Sequence, residues 1–306
     1  MNRATVNALL RRLADHAGLP TTGLAREKIR VWRLSGVERL RLPNGSTAVL
    51  KYAVRPFTDE HRVLADLAAQ GMPVPAVRAA VVLDGMLGMI LEDLGKPIRQ
   101  PTEQDAAAAA VRLHAAAPPA WLNRLGEPAL AALPGEALAR LHQLRAAGRF
   151  TDADDLVELL TTLDRLALAR AQDAERPPWG LCHGELHPSA IHIGRAGHRH
   201  VLDFAMAATG PGLLDLAAWS GLRRAANPPA TRRLIECYVR LGGHPKALTD
   251  RGGLPVEYWA LGWHRIQAAH WLLGCATSGI DPPSTDPRHL VVLRRQLTGA
   301  HYLLGA

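Results

Sequence analysis

Residues 180–207 read GLCHGELHPSAIHIGRAGHRHVLDFAMA, and they carry the most specific pattern in the chain. Five histidines and two carboxylates, those of Glu185 and Asp203, fall within this one stretch. Such a density suits a metal site, a proton-transfer site or a phosphate-transfer site. The histidine spacing matches neither H-E-x-x-H nor C-x-x-C, which disfavours a zinc site.

The composition is that of a soluble protein. The 306 residues are 48% hydrophobic with a mean hydropathy near zero, which predicts one large domain or two lobes with a substantial core. The longest apolar runs are far too short to span a bilayer, and the N-terminus lacks the apolar segment of a signal peptide. These short runs lead us to expect no membrane partner. Three widely spaced cysteines, Cys182, Cys237 and Cys275, favour location in a reducing cytoplasm.

The net charge of +8 comes almost wholly from arginine. A basic patch would indicate nucleic-acid binding, but the arginines are scattered and form no basic block with interleaved aromatic residues. We therefore expect no nucleic-acid partner. An anionic small molecule such as a nucleotide fits the sign of the charge.

The first ninety-five residues show mostly the alternation of β-strands. Three runs, IRVWRLSG, VERLRLP and STAVLKYA, are separated by the turn signals Ser35-Gly36 and Asn44-Gly45. A helical pattern follows over residues 57–71, and two further strands join at Asp84-Gly85. The pattern predicts a five-stranded antiparallel sheet with a helix after its third strand, preceded by an amphipathic helix over residues 5–18.

Helical patterns dominate from Pro101 onward. Thr102 and Asp105 have the spacing of a capping box and precede an alanine-rich run that favours helix. Apart from a strand-loop-strand passage at 180–204, the pattern stays helical to the end. The predicted fold class is α+β, with a small five-stranded N-lobe at residues 1–96 and a larger, mainly helical C-lobe at residues 97–306.

Four charged residues follow one another in an order that has chemical meaning. Lys51 ends the third strand, Glu60 lies on the next helix, and Glu185 and Asp203 lie in the helical part. Phosphoryl transfer needs a cation on the phosphates, a residue that positions this cation, a carboxylate that orients the acceptor hydroxyl, and a ligand for Mg²⁺. These four residues could fill the four roles in that order.

These motifs resemble the aminoglycoside phosphotransferase and choline-kinase-like family, relatives of the protein kinases. CHGELHPSAIHI, residues 182–193, is similar to the family's catalytic-loop pattern H-G-D-x-H-P-x-N-I, and VLDFAMAATGPGLLDLAAW, residues 201–219, resembles its metal-binding segment. AVLKYA, EHRVLADLAAQGMPVPAV and GMILEDLG extend the resemblance over most of residues 30–220. The resemblance implies a bilobal protein-kinase-like fold with ATP or GTP and Mg²⁺ as cofactors.

The resemblance also implies a role for each matched residue. Lys51 would hold the α- and β-phosphates, and Glu60 would pair with Lys51. A hinge would meet the purine edge through its backbone and a turn would cover the phosphates; the hinge residues are Leu91, Glu92 and Asp93, and the turn residues are Ser35 and Gly36. In the catalytic loop, His183 and His187 would order the backbone by hydrogen bonds, whereas His198 and His200 lie in a hairpin turn and are expected to be solvated.

Two of the departures from the family pattern bear directly on the chemistry. Glu185 stands where the family has the catalytic aspartate and Ala190 where it has the metal-binding asparagine, so Asp203 alone remains among the usual metal ligands. The extra methylene of glutamate moves the carboxylate by roughly an ångström, which can cost on the order of 10²-fold in rate. His192 shares a strand face with Ala190 and is a candidate replacement ligand, the alternative being a core or surface histidine.

Two functions stay open after this comparison. One is a phosphotransferase that moves the γ-phosphate of ATP or GTP to a hydroxyl of a small molecule or peptide; the other is a pseudokinase that binds a nucleotide or ligand without transfer. The retained charged residues favour nucleotide binding, which both functions share, and of the two we favour the enzyme. Residues 221–306 hold eleven Arg and Lys residues but five Asp and Glu residues, which argues against a polycationic aminoglycoside as acceptor. The Ala-, Arg-, Gly- and Pro-rich composition is associated with antibiotic or natural-product pathways of GC-rich bacteria.

Overall fold

The computed structural model describes residues 3–20 and 22–306, and these residues form two compact units. The first unit contains the described residues up to Pro101 together with Ser189–Ala207. The second contains Thr102–Pro188 and Ala208–Ala306. The first unit therefore includes a segment, 189–207, that lies far beyond the boundary proposed from sequence at residues 96 and 97.

The first unit is built on a five-stranded antiparallel sheet, as predicted. Its strands are β1 (Ala25–Val31), β2 (Ser35–Arg41), β3 (Thr47–Val54), β4 (Val77–Leu83) and β5 (Met86–Glu92), in the order β1-β2-β3-β5-β4. The β2–β3 and β4–β5 hairpins turn where the sequence indicated, and Gly45, Asp84 and Gly85 have positive φ angles of 81°, 49° and 75°. Glycine and aspartate tolerate this left-handed backbone, which explains why the two turns could be recognised.

The predicted turn at Ser35-Gly36 is wrong. The strand β1 ends at Val31 and the chain turns at residues 32–34, so both residues belong to β2. Ser35 is buried and its hydroxyl accepts a hydrogen bond from the indole N–H of Trp32. Gly36 packs so closely on the ring of Tyr52 that any Cβ would collide with it. This glycine is therefore required for close approach between strands and not for a turn.

The helix α1 (Arg3–Ala17) covers one face of the sheet. Its Leu9 and Leu13 lie so close to Gly88 of β5 that a Cβ there would collide with them. Burial of each such leucine contributes roughly 1.5–3 kcal/mol to the free energy of unfolding. Because successive strand residues point to opposite faces, Lys51 lies on the opposite face from Tyr52, which packs in the α1 cluster. The helix α2 (Glu60–Ala69) supplies Glu60 to the face that carries Lys51.

The second unit is mainly helical. Its helices are α3 (Glu103–Ala115), α4 (Glu127–Ala146), α5 (Asp154–Ala171), α6 (Leu213–Ala218), α7 (Pro228–Arg240), α8 (Val256–Thr277) and α9 (Asp286–Leu304). The predicted capping box of α3 is confirmed, since the N–H of Thr102 donates to Oδ2 of Asp105 at 2.8 Å. None of the helices in the described ranges combines the length and hydropathy needed to cross a bilayer.

Four short strands complete the two units. In the second unit β6 (Trp179–Cys182) pairs with β9 (Ala208–Pro211). In the first unit β7 (Ile191–Ile193) pairs with β8 (Arg199–Val201) as a hairpin. The catalytic-loop pattern therefore runs from β6 to β7, and Asp203 follows directly after β8.

Candidate active site

Three charged side chains of the first unit meet in one buried cluster. Lys51 Nζ lies 2.7 Å from Oε1 of Glu60 and 2.6 Å from Oδ1 of Asp203. Lys51 and Glu60 are only 5% and 2% exposed. The backbone N–H of Phe204 donates to Oε1 of Glu60 at 3.1 Å, which ties the helix α2 to the segment after β8. The structure thus brings together three residues that the sequence assigned to one site.

The charge state of this cluster follows from its surroundings. Burial alone lowers the pKa of Lys51, but the carboxylates of Glu60 and Asp203 outweigh burial, so the pKa of Lys51 lies above its ordinary value. Burial raises the pKa of Glu60 above its ordinary range in spite of the attraction of Lys51. Lys51 is therefore a cation at neutral pH, and a cation at this place suits the oxygens of phosphate groups.

The backbone at Asp203 adopts a conformation that side chains rarely take. Its φ and ψ angles are 69° and 60°, in the left-handed region. The surroundings hold this conformation from both sides: the N–H of Leu202 donates to the carbonyl of Ala190 at 2.8 Å, and the N–H of Phe204 donates to Glu60. Such backbone strain concentrates at functional sites, and aspartate tolerates it better than most residues.

A cavity of about 600 Å³ opens beside the cluster, a size that suits a small-molecule ligand. Its apolar walls are Ile29, Val37, Val49, Leu64, Leu91 and Leu202. Its polar lining includes the cluster residues Lys51, Glu60 and Asp203, and the predicted hinge residues Glu92 and Asp93. The lining does not include Ser35 or Gly36, which the sequence had placed over the phosphates. Residues of β1 line the cavity in their place.

The hinge carboxylate of Asp93 is already engaged by protein groups. It accepts hydrogen bonds from Nε of Arg39 at 2.7 Å and from the N–H of Gly95 at 3.0 Å. Burial alone raises the pKa of Asp93, but the guanidinium of Arg39 outweighs burial and lowers it. The N–H of Leu94, by contrast, has no acceptor within the described ranges. The carboxylate of Asp93 is therefore held by protein groups, whereas the backbone N–H of Leu94 is not.

His192 lines the same cavity and is only 7% exposed. Both of its ring nitrogens are buried and have no partner among the residues that the structure describes. In the hairpin His192 pairs with His200, and the two rings lie 6.3 Å apart. The prediction that His200 is solvated is therefore wrong, since its side chain is partly buried. Burial lowers the pKa of His200.

His192 and Asp203 lie at different levels of the hairpin. The backbone N–H of Leu202 donates to the carbonyl of Ala190, so Asp203 lies one residue beyond this hydrogen-bonded pair. His192 pairs instead with His200, farther along the hairpin. In the described part of the chain no group of three His, Cys, Asp or Glu side chains could hold a metal ion.

The catalytic-loop residues of the second unit are supported by one buried carboxylate. Asp215 accepts the N–H of His183 at 2.8 Å and the N–H of Gly184 at 2.9 Å. His183 Nδ1 in turn accepts the N–H of Glu185 at 3.1 Å. His183 and Asp215 are wholly buried, so His183 supports the loop and does not face a ligand. The side chain of Glu185 is exposed and has no partner among the described residues.

Asp215 and His114, which support the loop, were not identified from the sequence. His114 Nε2 lies 3.3 Å from Oδ2 of Asp215, and His114 Nδ1 lies 3.3 Å from the hydroxyl of Tyr238. Burial alone raises the pKa of Asp215, but its contacts with His114 and the loop outweigh burial and lower it. Asp215 lies in residues 201–219, the stretch that resembles the family's metal-binding segment, whereas nothing in the local sequence connects His114 with a loop that lies far along the chain.

The sequence of the chain matches a known protein family. A sequence model of the phosphotransferase enzyme family matches residues 29–248. No curated protein matches the chain.

Several solved structures share the fold. The choline kinase LicA from Streptococcus pneumoniae is 12% identical with a TM-score of 0.66, over 98% of this chain and 99% of that chain. The macrolide 2'-phosphotransferase MphH from Brachybacterium faecium is 21% identical with a TM-score of 0.58, over 93% and 97%. A thermostable mutant of an aminoglycoside phosphotransferase, in ternary complex with ADP and hygromycin B, is 14% identical with a TM-score of 0.58, over 94% and 97%. At these identities the likeness shows the fold.

Proposed function

The chain belongs to the phosphotransferase enzyme family, and on this basis we propose that it transfers the γ-phosphate of ATP or GTP to a hydroxyl of a small molecule or peptide. The observation that carries the proposal is the buried cluster of Lys51, Glu60 and Asp203 beside a cavity of about 600 Å³. A fixed cation, a carboxylate that positions it and a second carboxylate are the groups that phosphoryl transfer requires around a nucleotide.

The nucleotide lies with its base toward the hinge and its phosphates toward Lys51 in this proposal. The hinge supplies backbone groups, among them the N–H of Leu94, to the polar edge of the base. His192 has two buried ring nitrogens without a partner in the described residues, and a ligand in the cavity can provide one. Buried polar groups are seldom left unsatisfied, so the arrangement favours an occupied cavity. The aminoglycoside phosphotransferase noted above holds ADP.

Magnesium fits the donors of this site when it arrives with the nucleotide. Mg²⁺ prefers oxygen ligands and is commonly held by one or two carboxylates together with phosphates and water. Asp203 provides one carboxylate, and Ser189 lines the same cavity with a hydroxyl. When bound, the ion neutralises charge on the phosphate oxygens.

Glu185 is the residue proposed to orient the acceptor. Its carboxylate accepts a hydrogen bond from the acceptor hydroxyl, whose oxygen forms a bond to the γ-phosphorus while the bond from that phosphorus to the β,γ-bridging oxygen breaks. The nucleoside diphosphate leaves, and the hydroxyl proton passes to Glu185. His183 and Asp215 fix the backbone from which Glu185 projects.

The acceptor is proposed to be a neutral or anionic hydroxyl compound, or a serine or threonine of a peptide. The excess of cationic residues over 221–306 disfavours a polycation by charge repulsion. The solved relatives include a choline kinase and a macrolide phosphotransferase, so this fold serves acceptors of different chemistry.

The test measures binding and transfer separately. Binding is followed as the shift in melting temperature with ATP and GTP, with Mg²⁺ or Mn²⁺. Transfer is followed as release of nucleoside diphosphate in the presence of a panel of hydroxyl acceptors, with Asp203→Ala and Glu185→Gln as controls. We expect metal-dependent release that both variants lose, and the absence of a melting shift with every nucleotide would contradict the proposal.

A pseudokinase is the second candidate, and the change at position 190 favours it. Ala190 is 1% exposed and its methyl group cannot coordinate a cation. A nucleotide-dependent melting shift without diphosphate release in either metal, equal in wild type and Glu185→Gln, would identify the chain as a binding module.

A further inference from the structure

A second cation of the first unit contacts Asp203. Arg30 Nη2 lies 2.8 Å from Oδ2 of Asp203, while Lys51 Nζ lies 2.6 Å from Oδ1. Each oxygen of one carboxylate is thus held by a different cation. Arg30 lines the same cavity as Lys51, and about half of its side chain is exposed, 51%. Neither the sequence pattern nor the family resemblance pointed to Arg30.

An irregularity in β1 places Arg30 in this position. Residues 28 and 30 of β1 pair with residues 38 and 37 of β2, so Ile29 is an extra residue in the strand. In a regular strand Ile29 would lie opposite Val37, and an apolar side chain would stand where Arg30 stands. Val37 pairs in turn with Lys51, so Arg30, Val37 and Lys51 form one row across three strands. Bulges at sheet edges commonly re-aim a side chain beside an active site.

The guanidinium of Arg30 keeps most of its hydrogen-bonding capacity open. Only Nη2 has a partner among the residues that the structure describes. Arginine carries five N–H donors in a planar fork that matches the oxygens of a phosphate. Arg30 can therefore hold Asp203 through one nitrogen and a ligand through the others, without breaking an existing contact.

The charge balance of the cavity explains why a second cation would help to bind phosphates. The positive charges of Lys51 and Arg30 equal in number the carboxylates of Glu60 and Asp203. A nucleoside triphosphate adds several negative charges to this group. We propose that Arg30 binds the phosphates of the nucleotide together with Lys51, so that the protein supplies two cations to the phosphates. This inference rests on the proposed function. It also predicts that nucleotide binding depends less on metal than Asp203 alone would suggest.

The test compares ligands with and without phosphates. The affinity of wild type and Arg30→Gln for ATP and for adenosine is measured by titration calorimetry, in EDTA and in Mg²⁺. The matched control is Arg78→Gln, since Arg78 lies exposed on the opposite edge strand β4 and outside the cavity. Arg30→Gln should weaken ATP binding about 10-fold to 100-fold, because charge-assisted hydrogen bonds are lost. The loss should be larger in EDTA, and adenosine binding should not change.

Three results would overturn the inference. Equal ATP affinity in wild type and Arg30→Gln would show that Arg30 does not touch phosphate. Tighter ATP binding by the variant would show that Arg30 competes with the nucleotide for Asp203. An equal loss for ATP and adenosine would indicate a structural role.

A failure of the proposed function is recognised separately. Wild-type protein that binds neither ATP nor GTP would remove the proposed function and this inference together. Wild-type binding with an indifferent Arg30→Gln variant removes only the inference. Arg30→Lys adds a graded check, because it keeps the charge without the planar fork and should fall between wild type and Arg30→Gln.

Discussion

The charged cluster of the first unit and the catalytic loop of the second hold their functional groups by opposite means. In the cluster, Lys51, Glu60 and Asp203 bond directly to one another, and two of the three are almost wholly buried. In the loop, the buried Asp215 binds backbone N–H groups, while Glu185 projects from the loop without a partner in the described part of the chain.

This difference separates function from stability in one region and couples them in the other. A change in the cluster removes an ion-pair partner and a functional group at once, and breaking a buried pair leaves an uncompensated charge. A change at Glu185 removes a functional group alone. The loop can therefore carry a different side chain at position 185 while keeping its shape, which fits the aspartate-to-glutamate difference from the family pattern.

The largest effect is expected from Asp203→Asn, which removes the charge that Lys51 and Arg30 both contact. Asparagine tolerates the left-handed backbone at this position, so the turn is preserved. The rate of transfer should fall roughly 10³-fold, or about 4 kcal/mol in activation free energy, measured as diphosphate release at saturating nucleotide. A variant within tenfold of wild type would show that the cluster is not part of the chemistry.

Acid should lower the stability of the fold through His264 of α8. Burial lowers the pKa of His264 from its ordinary 6.5 to about 4. Below about pH 6.5 the unfolded chain binds a proton that the folded chain does not bind until about pH 4, so stability falls as pH falls through this window. The loss approaches about 3 kcal/mol in free energy of unfolding, measured by urea denaturation between pH 7 and pH 4.5.

The control for this pH dependence is His264→Gln. Other histidines with lowered pKa values, among them His270 and His289, contribute to the same window in both proteins. The variant should lose stability less steeply than wild type as pH falls. Parallel curves for the two proteins would show that His264 titrates normally.

Glu185→Gln should separate activity from stability. The rate of transfer should fall about 10²-fold, or about 2.7 kcal/mol, because the carboxylate no longer accepts the hydroxyl proton. The free energy of unfolding should stay within about 0.5 kcal/mol of wild type, because the side chain is exposed. Glu185→Asp retains a carboxylate and should be less impaired. A loss of stability that matches the loss of rate would make Glu185 a structural residue.

Asp215→Asn should lower the free energy of unfolding, because the loop at residues 183–185 loses one of its supporting hydrogen bonds. The amide has one acceptor oxygen, so the N–H of His183 or of Gly184 loses its partner. We expect a cost of about 1–3 kcal/mol in free energy of unfolding, measured by urea denaturation. His114→Gln removes a longer contact of 3.3 Å and should cost less. Unchanged stability in Asp215→Asn would mean that the loop is held by other contacts.

The sheet was predictable where turn chemistry is local. Asn44-Gly45 and Asp84-Gly85 need left-handed backbone within two residues, and both hairpins turn there. Ser35-Gly36 resembles these turn dipeptides in sequence, but its glycine has a different role. Gly36 is needed for close contact with Tyr52 on the neighbouring strand. A glycine required by a distant residue cannot be told from a turn glycine by its neighbours alone.

The site was predictable where the family pattern marks individual positions. Lys51, Glu60 and Asp203 were identified in advance and do meet in space. His114 and Arg30 were missed, because each reaches its partner through tertiary packing and lies in no recognised motif.

Local periodicity, turn residues and the order of charged positions were enough to establish the five-stranded sheet, the helical second part and the candidates for phosphoryl transfer. The tertiary structure alone decided that Ile29 is an extra residue, that Arg30 joins the row of Lys51, and that His192 pairs with His200. The physical reason is that strand register and burial depend on pairing between remote segments. A residue's own neighbours record its backbone preference, but they do not record which distant side chain will lie against it.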